Sequence, residues 1–240
     1  MIEYIQHLDT QLFLFLNSLH CPLMDQFMYL FSGRFIWIPM YATLLYIIVR
    51  RYRPATALLM VLGIVLSIVI ADQLCATILR PTFERLRPAH LENPISDMVH
   101  IVNDYRGGRY SFPSCHAANS FALASFLCWM IPRTRLCIFI LIWALLTCYS
   151  RIYLGVHYPG DLLVGTFIGA LVGSGCYCLA VLLSGYYDPR GQIRRPFVTL
   201  HLGTASYNIK LPDLMIIAGI ATTVGILIAS LIKTFMMTAH

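Results

Sequence analysis

Three clusters in this chain have residue types and spacing that could do chemistry: Arg80 with Arg87-Pro88, the run Pro113-Ser114-Cys115-His116, and Ser150-Arg151 followed by His157 and Asp161. They combine three arginines, two histidines and a carboxylate, the equipment of phosphoryl transfer without a metal. A phosphate ester repels nucleophiles through its own oxygens, so those charges must be neutralised first. Arginine forks bind them bidentately and do not lose their proton. Ser114 is placed to N-cap a helix, which leaves the amides of Cys115, His116 and Ala117 at the positive end of its dipole, where anions bind. A neutral His157 can attack phosphorus if its other ring nitrogen is held by a carboxylate, and Asp161, four residues on, is near enough to hold it. Pro159 suits the first position of a helix, which puts Asp161 in that helix's first turn. His116 is then the general acid for the leaving alkoxide and afterwards the base that activates water.

The elements that must position these clusters are membrane helices. Hydrophobic residues make up 58% of the 240 residues and charged ones 12%, and the apolar residues come in long blocks rather than stripes. A span needs roughly 20 apolar residues to cross ~30 Å of hydrocarbon. Six blocks qualify as candidates: Phe27–Val49, Ala55–Leu79, Cys115–Ile131, Leu136–Ile152, Asp161–Leu183 and Leu211–Ile232, the third and fourth being short. The expected fold is therefore an all-α polytopic bundle of six transmembrane helices. Tyr4–Leu19 is apolar but interrupted by Gln6, His7, Asp9, Gln11 and Asn17, which suits a helix lying at the membrane interface. The expected organisation is an interfacial segment at 1–26, a membrane-embedded core at 27–183, and a basic cytoplasmic loop with the last span at 184–240.

Arg50, Arg51 and Arg53, the turn Arg133–Arg135, and Arg190, Arg194 and Arg195 fall on one side of a six-span chain, which the positive-inside rule makes cytoplasmic. The opposite side holds the three clusters, so its arginines have a separate use in binding an anion. The net charge of +6 is spread over loops and span ends; it speaks for topology signals and anion contacts, and against a nucleic-acid surface.

The clusters also carry a family resemblance. The chain resembles the type 2 phosphatidic acid phosphatase superfamily, whose three motifs read K-x6-R-P, P-S-G-H and S-R-x5-H-x3-D; they align with Arg80–Pro88, Pro113–His116 and Ser150–Asp161. The resemblance covers roughly residues 55–183. It implies a helical-bundle core, a phosphohistidine at His157, acid/base catalysis by His116 and support from Asp161. It further implies phosphate binding by Arg80, Arg87, Ser114 and Arg151, and no metal cofactor. Arg80 stands where the family has lysine and Cys115 where it has glycine. The Cys115 amide survives for anion binding, while its sulfur could crowd the pocket.

Other residues take plainer readings. Asp72, inside the second span, is expected to accept a hydrogen bond from a neighbouring helix, although an intramembrane acid is also a functional candidate. Gly165, Gly169 and Gly173 repeat every four residues and read as a close-packing seam. The eight cysteines, mostly inside spans, read as small buried hydrophobes. His90, His100, Arg85, Arg106 and Arg109 read as solvated or snorkelling groups, with head-group contacts as the alternative.

The function expected is hydrolysis of a membrane lipid phosphate or diphosphate at the outer face of a bacterial inner membrane. Undecaprenyl diphosphate and lipid A phosphates rank together as substrates, ahead of phosphatidylglycerol phosphate. A phosphotransferase using the same site, or an anionic-lipid transporter, are the alternatives; a vanadate-dependent peroxidase is disfavoured by six spans.

Overall fold

The computed structural model describes residues 2–187, 197–202 and 205–238. Among these the chain forms α1 (Ile2–Asn17), α2 (Pro22–Phe31), α3 (Ile38–Arg51), α4 (Pro54–Gln73), α5 (Arg80–Phe83), α6 (Cys115–Met130), α7 (Thr134–Tyr153), α8 (Pro159–Tyr187) and α9 (Leu211–Thr238). One element departs from the all-α expectation: an antiparallel hairpin of β1 (Phe197–Leu202) and β2 (Ala205–Lys210), paired Phe197 with Lys210 through Leu202 with Ala205. Arg190, Arg194 and Arg195 lie outside the described residues.

Among the described residues, four helical segments are long and apolar enough to cross a membrane: Pro54–Phe83, Thr134–Tyr153, Pro159–Tyr186 and Leu211–Met237. The expected single span Phe27–Val49 is corrected to a bent pair, in which α2 and the segment Phe35–Arg51 meet at 72° and count together as a fifth crossing at most. Ser32-Gly33 ends α2, a 3₁₀ turn over Phe35–Trp37 follows, and Pro39 sits in the first turn of α3, where no amide donor is needed. The Trp37 indole donates to the Phe31 carbonyl at 3.0 Å and so satisfies a group the break exposes. The block at Cys115–Ile131 forms the 16-residue helix α6, which at 1.5 Å per residue is about 24 Å long, short of the ~30 Å of hydrocarbon.

That short helix is the centre of the bundle, packed against α4, α7 and α8. Ala117, Ala118, Ala122 and Ala124 are fully buried in it. The glycine seam packs there: a Cβ at Gly169 would collide with the Ala118 carbonyl oxygen, and one at Gly173 with that of Ala122. Helices at backbone contact leave no slack between their N-termini, and the Ser114 amide donates to the Asp161 carbonyl at 3.0 Å. The second and third clusters are thereby joined. Gly169→Val should lower the thermal midpoint of the detergent-solubilised protein, since overpacking a closed contact costs about 1–3 kcal/mol or more. Gly175→Ala, on the same helix but facing open space, should leave the midpoint unchanged; equal midpoints for the two variants would contradict the seam.

Tyr52 donates to the Met130 carbonyl at 3.2 Å, which ties the α3–α4 and α6–α7 turns together at one end of the bundle. The three clusters lie at the other. Asp72 takes the structural place expected of it, its Oδ1 accepting from Asn119 Nδ2 at 2.9 Å across α4 and α6.

Candidate active site

Each cluster is delivered by a local feature of the chain. A π-helical turn over Leu74–Leu79 carries α4 into α5 and sets the position of Arg80, whose Nε donates to the Pro113 carbonyl at 3.3 Å. Glu84, at φ 45°, ends α5 in the left-handed region. The chain then runs extended beside Tyr110: Ser111 N donates to the Arg85 carbonyl at 2.8 Å and Arg87 N to the Arg109 carbonyl at 3.0 Å. Alternate side chains of an extended segment share a side, so Arg85 and Arg87 both reach toward the α7–α8 turn. Ser114 N-caps α6 as expected, its hydroxyl accepting from the Ala117 amide at 3.5 Å. Pro159 opens α8, with Asp161 in the first turn.

His157 and Asp161 are both fully buried, with Nδ1 and Oδ2 3.5 Å apart. Asp161 Oδ2 accepts from the Tyr158 amide at 2.9 Å, and Oδ1 from Arg85 Nη1 at 2.9 Å. On the other side of the imidazole, Arg87 Nη1 lies 3.5 Å from Nε2. Burial, with Arg87, Arg151 and Arg80 near by, holds the imidazole well below its usual range, which favours the neutral ring. Arg87 is 6% exposed. Burial, then the charges of Arg80 and Arg151, push its guanidinium down to about 10, and it still carries its proton at neutral pH. Gly107, at φ +68°, passes so close that a Cβ there would stand 2.8 Å from Arg87 Nη1.

A cavity of about 850 Å³ gathers Arg80, Arg87, Cys115, His116 and Arg151 at one end. Its other end is walled by Leu44, Leu45 and Ile48 of α3 and by Val61, Ile64, Val65, Ile68 and Val69 of α4. One wall is therefore cationic and one is hydrocarbon. Arg151, only 3% exposed, donates through Nη2 to Tyr105 Oη at 3.0 Å and through Nη1 to Ser32 Oγ, while its Nε is buried with no acceptor among the described residues. Every phosphate-binding candidate except Ser114 lines this cavity; Ser114 acts from behind as the cap, and His157 is screened by Arg87. The Cys115 thiol packs with Cys75 and Ala118 at the α4–α6 contact, its Sγ 3.9 Å from the Asp72 carbonyl oxygen.

Several expectations are corrected. Arg85 is not a snorkelling anchor: it pairs with Asp161 at 2.9 Å and with Asp9 of α1 at 2.8 Å, and its guanidinium lies 3.7 Å from the Tyr158 ring centroid. The Arg-Leu-Arg alternation at 85–87 was the available signal. His100 is paired with Asp25 at 2.9 Å and stacked on His20 rather than solvated. Arg106 donates to the Ala89 carbonyl at 2.8 Å, whereas Arg109 makes an exposed pair with Glu92, close to the plain reading. Cys21 and Cys178 are exposed, not buried. Ser32, Arg34 and Tyr105 at the cavity had no sequence signal, because the helix break that brings Ser32 and Arg34 there was not foreseen.

A bundle that joins two histidines, an aspartate and an arginine cradle at the mouth of its helices defines a class of protein, and residues 60–184 match the PAP2 superfamily. The chain belongs to that family. It is 45% identical to the lipid A 4'-phosphatase of Bacteroides thetaiotaomicron over 98% of its own length and all of the relative's. It is 38% identical to the lipid A 4'-phosphatase of Porphyromonas gingivalis, over 73% of this chain and 74% of that one. An undecaprenyl-diphosphatase of Sulfolobus acidocaldarius is 30% identical over 59% of this chain and 62% of its own. The crystal structure of Aquifex aeolicus LpxE superposes with a TM-score of 0.52 at 26% identity, covering 73% of this chain and 95% of that one.

Proposed function

We propose that this protein is an integral-membrane phosphatase that removes a phosphate from a lipid A-type glycolipid through a phosphohistidine on His157. The observation that carries the reading is the cavity lined by Arg80, Arg87, His116 and Arg151 together with apolar side chains of α3 and α4, with Arg87 Nη1 3.5 Å from His157 Nε2. The 45% identity to a lipid A 4'-phosphatase over the whole chain favours a lipid A phosphate over undecaprenyl diphosphate.

In this reading the phosphate oxygens bind Arg80, Arg87, Arg151 and the amides at the N-terminus of α6. Arg87 turns from Nε2 of His157 toward the phosphate, which exposes the nucleophile. Nε2 attacks phosphorus as the P–O bond to the lipid breaks, and His116 gives its proton to the leaving oxygen. His116 then takes a proton from water, whose oxygen attacks phosphorus as the P–N bond breaks, releasing inorganic phosphate and neutral His157. Asp161 stabilises the positive charge on the imidazole in between. The arginines supply the charge neutralisation that a metal would otherwise supply, so the reaction runs without one.

Phosphate release from lipid A, undecaprenyl diphosphate, phosphatidic acid and a water-soluble monoester by the purified protein tests this. Lipid A is expected to be cleaved fastest and the soluble ester far more slowly, in EDTA, with inhibition by vanadate. A strict magnesium requirement would refute the mechanism. Equal efficiency on the soluble ester would refute the role of the apolar wall.

The bundle end carrying Arg50, Arg51, Arg133 and Arg135 is assigned to the cytoplasm of a bacterial inner membrane and the site to the outer face, with six crossings if the bent pair and α6 each count as one. In a Cys21→Ser background, a cysteine replacing exposed Asn103 should react with an impermeant thiol reagent from outside, and one replacing exposed Arg135 only after the membrane is opened. The reverse pattern would move the chemistry to the cytoplasm.

A further inference from the structure

Two polar interruptions of the N-terminal helix, Asp9 and Asn17, face the active site. Asp9, Phe13 and Asn17 fall on one face of α1 at intervals of four residues, and this face packs on α7 and α8. Asn17, 1% exposed, donates to the carbonyls of Ile152 and Tyr153 at 3.1 and 2.9 Å, the last turn of α7, where carbonyls lack helical partners. Asp9 Oδ1 accepts from the Gly160 amide at 2.8 Å, in the first turn of α8, where a negative charge suits the helix end. The turn between those two contacts is the one that carries His157. Phe13, fully buried, lies against the ring of Tyr158 with centroids 5.3 Å apart.

Asp9 does more than cap α8. Its Oδ2 pairs with Arg85 Nη2 at 2.8 Å, while Nη1 of the same guanidinium holds Asp161 Oδ1 at 2.9 Å. One arginine fork thus spans two carboxylates, and the second of them faces His157 Nδ1 at 3.5 Å. With Asp9 in place the guanidinium is shared and its plane is fixed by two anchors. Without that charge, Asp161 would be the one carboxylate left to Arg85 among the described residues, and its pull on Asp161 would no longer be balanced. We propose that Asp9, acting through Arg85, is a positioning residue for the His157–Asp161 pair, which makes the N-terminal helix a working part of the active site. This rests on the reading of His157 as nucleophile.

Asp9→Asn is nearly isosteric and keeps an acceptor for the Gly160 amide while removing the charge that faces Arg85. It should lower kcat about tenfold, the low end for a residue that orients a ligand or base from behind, with KM within about twofold. Asp9→Glu should recover most of the loss. The double variant Asp9→Asn/Arg85→Lys should lose no more than the worse single one, because the two act in one chain. Leu14→Ala loosens the apolar seat of the same helix, and should lower the thermal midpoint while keeping kcat within about twofold. Independently of turnover, amide exchange over Val156–Leu162 followed by mass spectrometry should rise in Asp9→Asn. Wild-type turnover with loss in His157→Ala establishes the nucleophile; against that background, an unchanged kcat in Asp9→Asn overturns the positioning role, as does a loss confined to KM. A kcat loss in Leu14→Ala equal to that in Asp9→Asn would reduce the effect to simple helix docking. Unchanged exchange over the turn also counts against the proposal whatever the substrate proves to be.

Discussion

His157→Ala should abolish lipid phosphate hydrolysis, with a loss on the order of 10³-fold or more, since removal of a nucleophile leaves only what binding and electrostatics contribute. The protein should still fold and still bind lipid phosphate, because Arg80, Arg87 and Arg151 are held by other partners: the carbonyls of Pro113, Tyr110 and Val156, the Tyr105 hydroxyl and Ser32. Asp161→Asn should lose less, about 10–100-fold, because it orients and stabilises the ring without forming the bond. Wild-type enzyme given phosphorus-labelled substrate and quenched in alkaline detergent should carry protein-bound label that is stable to base and released by acid, and that His157→Ala lacks. Activity of the alanine variant within tenfold of wild type would sink the assignment.

The second large effect should come from Arg85. Asp161 is fully buried with Arg85 as its ion-pair partner, and removing one member of a buried pair costs about 3–5 kcal/mol. Arg85 itself is 22% exposed, so water entering the gap should hold the cost of Arg85→Leu near the lower figure. The variant should melt at a clearly lower temperature in detergent and turn over at least tenfold more slowly. Arg85→Lys keeps one charge but cannot span two carboxylates, and should fall between it and wild type. A leucine variant as stable and active as wild type would show that Asp161 does not depend on Arg85 for its support.

Much of the candidate site's geometry was legible because it rests on local spacing. Ser114 at a helix start, Pro159 opening the next helix and Asp161 four residues after His157 are relations within one or two turns, and a sequence states these directly. The glycine repeat at 165, 169 and 173 was legible for the same reason. What lay hidden depended on contacts between distant segments. Arg85 read as a surface arginine because nothing near it in sequence pairs with it; its partners are 76 residues on and 76 back, at Asp161 and Asp9. The bend between α2 and α3 was hidden by composition, since the apolar run continues on both sides of Ser32-Gly33 and hydropathy does not register direction.

That bend has a consequence for how parts of such proteins are exchanged. The match to the PAP2 superfamily begins at residue 60, yet Ser32 of the bend bonds Arg151, and Arg34 and the side chains of α3 line the cavity. The unit that inheritance or engineering must move intact is therefore larger than the segment that carries the motifs. A chimera joining the first fifty residues of one relative to the remainder of another would inherit one wall of this cavity from each parent. Its preference among substrates would follow the front of the chain as much as the catalytic residues behind it.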